Sequence, residues 1–193
     1  MDSWQQLIVT GSDTALRSFI AGFEAAQGTQ LGVAFGTDLG IDASSLAARV
    51  RALLAPGSSH HAIYCNAVTA AQLAGALAAR GRDAGLVVSS QCEVHAASFS
   101  FEVGTFSVEV AQAIRQQFLE AAPEGVERLD YHADEIHRPD AQGAELYAPE
   151  HPFEFRARGT FRGPFPAIVE LYHRARTFEH VTATPLRLET SAH

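Results

Sequence analysis

FEFRARGTFR, residues 153–162, alternates without a break, with Phe153, Phe155, Ala157 and Phe161 on one side and Glu154, Arg156, Arg158 and Arg162 on the other. Period two marks a strand with one buried and one wet face. The stretch VERLDYHADEIH (126–137) does much the same, Leu129, Tyr131 and Ala133 alternating with polar positions. Between them RPDAQGAELYAPEHP (138–152) carries Pro, Gly and Asp without periodicity and reads as a loop.

Working outward, EVHAASFSFEVGTF (93–106) reads as a long strand. SVEVAQAIRQQFLEAAPEG (107–125) reads as a helix burying Val110, Ile114 and Phe118. PFPAIVELYHRAR (164–176) is a helix opened by Pro, and HVTATPLRLE (180–189) is the closing strand. The order from 93 to 189 is therefore β-α-β-β-α-β. That order is ferredoxin-like, an antiparallel sheet with two helices on one face.

The first half reads as strands over 4–10, 30–36, 60–68 and 84–91 with helices over 12–27, 42–57 and 69–81. Ser12 or Asp13 caps the first helix, whose apolar face is Leu16, Phe19, Ile20 and Phe23. This half fits a second ferredoxin-like lobe with one short strand hidden and an extra helix; a small parallel α/β sheet is the alternative. The expected fold is α+β, an α/β sandwich of two ferredoxin-like lobes over 1–91 and 92–193. A shared layout supports duplication: FGTDLG (35–40) and RGTFRG (158–163) each precede a helix and then a His opening a strand.

At 193 residues with 47% apolar and 19% charged residues, the chain suits a soluble globular protein. No apolar run is long enough to span a bilayer, and the N-terminus lacks a basic and apolar leader. Cys65 and Cys92 are too few for a disulfide framework and read as reduced thiols, so a cytoplasmic setting is expected. The net charge of −8 disfavours nucleic-acid binding. All 14 basic residues are Arg, which removes any Schiff-base or P-loop lysine. Abundant Ala and Gly with a single Met fit a GC-rich, bacterial genome. The positive charge is concentrated late: residues 1–150 hold 8 Arg and 18 acids, residues 151–193 hold 6 Arg and 4 acids.

Three constellations carry candidate chemistry. Asp130, His132 and Asp134 share one face of a strand, where carboxylates can orient an imidazole for proton transfer. Arg156, Arg158 and Arg162 form a row able to grip a phosphate or carboxylate. His180 and Thr182 also share a strand face. The segments around Cys65 and Cys92 lack Cys-x-x-Cys spacing, so no metal and no cofactor is expected; the alternative, a metal-binding protein using Cys65, Cys92 and His, requires the two strands to be neighbours. There is no Gly-x-Gly-x-x-Gly after a strand and no Gly-x-Ser-x-Gly elbow. TGSDTA (10–15) offers a helix start that a plain N-cap explains.

His180-Val181-Thr182 resembles the His-x-Thr/Ser motif of the 2H phosphoesterase family. The resemblance implies two such motifs, one in each of two lobes, each His and hydroxyl binding phosphate and moving protons. It extends only to this motif and the bilobal layout. His95 is followed by Ser98 at the wrong spacing, and His61 by Ile63.

The expected function is thus a binding or regulatory protein recognising a small anionic molecule, with no nucleic-acid or membrane partner and with homodimer pairing through sheets or edges. The alternative is an enzyme on a small phosphorylated or carboxylated substrate, using His132 with Asp130 and Asp134, or His180 with Thr182.

Overall fold

A computed structural model describes residues 3–41, 59–137 and 153–191. The expected helix over 42–57 and loop over 138–152 lie outside the described residues. The chain divides into two compact units, Met1–His95 with Arg187–His193, and Ala96–Leu186. The fold is α+β, and both units have ferredoxin-like topology.

In the first unit, β1 (Trp4–Thr10), α1 (Asp13–Gln27), β2 (Ala34–Phe35), β3 (His60–Asn66), α2 (Ala67–Arg80) and the start of β4 (Val87–Thr105) follow in order. The sheet order is β2-β3-β1-β4, with every register antiparallel, and β8 (Arg187–Ser191) also pairs with β4. No hidden strand is needed: the segment expected as a strand over 30–36 is itself the short second strand, paired with β3 at Ala34 and Phe35. Ser12 caps α1, its Oγ accepting the Ala15 N–H at 3.1 Å. Leu16 and Ile20 are buried, with Phe19 and Phe23 packed half-buried beside them. Asn66 caps α2 by accepting the Thr69 N–H at 2.8 Å, so the helix starts two residues earlier than its spacing suggests.

The second unit runs from the end of β4 through α3 (Val108–Ile114), a π turn (Arg115–Leu119), β5 (Glu127–His137), β6 (Phe153–Gly163), α4 (Phe165–Ala175) and β7 (Val181–Ala183). Its order is β7-β4-β6-β5. Phe99, Phe101, Phe155 and Phe161 point under the helices, where Phe101 stacks on Phe161 at 4.9 Å and meets Phe118 edge-on at 5.2 Å. Ile114 and Phe118 are buried as expected, but Val110 is half-buried and Ala111 is buried instead. The helix shifts into a π turn at Arg115, which the α-helical period does not anticipate.

Three further expectations change. The strands read over 84–91 and 93–106 are one strand of 19 residues, β4, because the polar SSQ stretch (89–91) stays hydrogen-bonded to β1. The closing strand is two, β7 and β8, separated around Pro185. The two G-T-x-x-G motifs are not equivalent: Gly36–Gly40 is a turn after β2, whereas Gly159–Gly163 lies inside β6. The repetition is in the topology, not in that motif. No helix among the described residues is long and apolar enough to cross a membrane.

Candidate functional site

The outward face of the second unit's sheet gathers the sequence-selected residues. Strand register sets them in rows. Thr182 on β7 pairs with Glu102 on β4, Glu102 with Arg158 on β6, and Arg158 with His132 on β5. The next row runs from His180, whose carbonyl accepts the Gly104 N–H at 3.2 Å, through Gly104 and Arg156 to Asp134. The third holds Thr184, Ser100 and Thr160; the Ser100 and Thr160 hydroxyls are 2.9 Å apart, and Thr184 Oγ1 accepts the Ser100 N–H at 3.0 Å.

These rows line three shallow depressions. One of about 620 Å³ is bordered by Glu102, Asp130, His132, Arg158, Thr160 and Thr182. A second of about 620 Å³ adds Asp134 and Arg156. A third of about 340 Å³ is bordered by Glu102, Arg156, Glu179, His180 and Thr182. So His132, His180, Thr182, Asp130, Asp134, Arg156 and Arg158 do meet on one face. Arg162 shares the face but borders none of the three depressions: it sits at the Gly163 end of β6, 3.9 Å from Glu127.

Within the face the two arginines differ. Arg156 is engaged, its Nε and Nη2 both 2.6 Å from Glu154 Oε1. Arg158 is exposed, and among the described residues no side chain forms an ion pair or hydrogen bond with its guanidinium. Glu102 lies beside it and borders all three depressions. Sequence reading missed Glu102, although it holds a polar position in the alternation Phe99-Ser100-Phe101-Glu102-Val103. The lining carries four carboxylates (Glu102, Asp130, Asp134, Glu179) against two guanidiniums (Arg156, Arg158), so it is no simple funnel for anions.

His132 stands on the edge strand β5 and His180 just before the edge strand β7, three strand spacings or about 14 Å apart. That separation is too great for one proton-transfer pair. Among the described residues no group of three or more His, Cys, Asp or Glu is placed to hold a metal.

The two thiols stand apart. Cys65 is opposite Gln5 and Cys92 opposite Gln6, so they flank β1 on different strands and on opposite faces. The adjacency required for a Cys/His metal pair is therefore absent for this pair. Burial pushes the Cys65 thiol up to about 12. Burial also raises Cys92, partly opposed by a hydrogen bond with Thr190.

No protein-family model and no curated protein matches the chain. Its structure matches the crystal structure of an unknown protein from Galdieria sulphuraria, with 12% identity, 99% of each chain covered and a TM-score of 0.28. It also matches a protein named "putative glycine cleavage system transcriptional repressor", with 12% identity, 99% of each chain covered and a TM-score of 0.27. Likenesses this low say nothing of what the chain binds.

Proposed function

We propose that the chain is a non-catalytic binding protein whose second unit captures a small ligand bearing both charges. The anionic group lies on Arg158 and the cationic or hydrogen-bond-donating group lies by Glu102. The observation that carries this reading is the row Thr182–Glu102–Arg158–His132, in which a guanidinium that no described side chain engages lies next to a carboxylate. Neighbouring strands are about 4.8 Å apart, which matches a compact zwitterion better than a lone phosphate. Binding rather than turnover fits an open face, since water-exposed acid–base groups lose the electrostatic advantage of an enclosed site.

Thermal unfolding tests it with a matched panel: 4-aminobutyrate, butyrate, butylamine and inorganic phosphate. The expected result is a melting temperature that climbs with 4-aminobutyrate concentration and with no other member as strongly. R158A should weaken that binding by about 10- to 100-fold, the usual loss for a charged hydrogen-bonding partner. A flat response to the whole panel would remove the reading.

A second reading, an enzyme acting on a phosphorylated substrate, is favoured by one observation: His180, Thr182 and Arg156 border the same depression. Hydrolysis of bis(p-nitrophenyl) phosphate that disappears in H180A would favour it over the binding role.

A further inference from the structure

Asp130 is the single non-glycine residue with positive φ, at 50°, among the described residues. Leu129 pairs with Thr160 and His132 with Arg158, so Asp130 and Tyr131 together oppose Gly159 alone. One extra residue on β5 is a β-bulge. A regular ladder would have set Tyr131 against Arg158 and turned His132 and Asp134 toward the helices. The bulge therefore brings His132 and Asp134 to the polar face. Gly159 makes room for it: a Cβ there would lie 3.3 Å from Leu129 O and from Tyr131 Cα, and 3.4 Å from Phe101 Cε1.

Left-handed backbone is unfavourable for a residue with a Cβ, though Asp tolerates it better than most. On an exposed edge strand it buries no side chain in return. Its visible consequence is that Asp130 borders the depression that holds Arg158, Glu102 and Thr182. The depression that Arg158 borders is thus also lined by carboxylates from both neighbouring strands, Glu102 on β4 and Asp130 on β5.

We infer that Asp130 is a specificity residue: its carboxylate takes the cationic part of the ligand and turns away ligands that carry only an anion. This rests on the zwitterion-binding reading above. Calorimetric titration of 4-aminobutyrate and butyrate into the full chain, D130N and D130G tests it. The wild-type chain should prefer 4-aminobutyrate by about tenfold or more. D130N keeps the side-chain shape and the tolerance of left-handed backbone, so its fold should hold while the preference shrinks to about two- or threefold. D130G should lose the preference similarly and melt at higher temperature, because the backbone strain is relieved. A D130N preference equal to wild type overturns the inference and leaves the binding reading intact. Binding of neither probe by the wild-type chain overturns both.

Discussion

In the two units, the sheet faces turned away from the helices have the same topology beneath them and opposite chemistry. In the first unit the face opposite the helices is sealed: Gln6, Ile8, Ala62, Tyr64, Cys92 and Val94 are all buried. Leu39 and Ile41 are buried as well, and the turn that carries them is hydrogen-bonded back to β3 through Gly36 N–H and Ala62 O at 2.8 Å. The polar groups trapped there are satisfied. Gln6 Nε2 donates to Tyr64 Oη at 2.8 Å, and Cys92 Sγ donates to Gln6 Oε1 at 3.3 Å. In the second unit Ser100, Glu102, Arg156, Arg158, His132 and Thr182 stay wet or half-wet, with Arg158 unengaged by the described side chains. A polar group locked into a network specifies a core; a polar group left open on a sheet face can exchange water for a ligand.

The largest expected effect concerns the sealed region. With the Cys65 thiol held up to about 12, native alkylation at pH 8 should be about a thousandfold slower than for a free thiol. Mass spectrometry with and without denaturant reads this directly, and fast native labelling would contradict the burial. Next, F161A removes the buried ring that meets Phe99, Phe101 and Phe118 and should destabilise by about 3–5 kcal/mol in chemical denaturation.

Y64F deletes the acceptor of the Gln6 amide and should cost about 1–3 kcal/mol. E102Q, on the open face, should stay within about 0.5 kcal/mol of wild type. Equal losses in the two variants would erase the contrast between the faces. The smallest effect belongs to Glu135, whose carboxyl is held below the usual range by the Arg115 hydrogen bond and further by His137. A depressed folded pKa stabilises the fold above the unfolded carboxyl value and loses that contribution as pH falls through the folded one. The stability difference between wild type and E135Q should therefore shrink with acidification below about pH 4.3. A difference that grew instead would show that the ion pair is not the cause.

The contrast was partly legible in the residues. Strict alternation in FEFRARGTFR foretells one wet face, and β6 has it. The unbroken apolar runs LIV (7–9) and AIYC (62–65) are what burial on both sides requires, and β1 and β3 are buried on both, although the sequence reads there only as strands. The convergence of His132, His180 and the arginines was not readable, because it depends on strand order, which no local pattern encodes. The bulge was hidden for a different reason. Leu129, Tyr131 and Ala133 keep their spacing in sequence, yet one unpaired residue moves Leu129 to the opposite face from Ala133. Glu102 was overlooked because a lone carboxylate in a strand gains meaning only from the Arg158 placed across from it.

The most direct measurement is amide chemical-shift mapping of the full chain titrated with 4-aminobutyrate. The expected result is a saturable set of shifts centred on Glu102, Asp130, His132, Arg158 and Thr182, with Gln6, Ala62, Tyr64 and Cys92 unmoved. Shifts centred on the first unit, or none at millimolar ligand, would contradict the assignment of the open face as the binding surface.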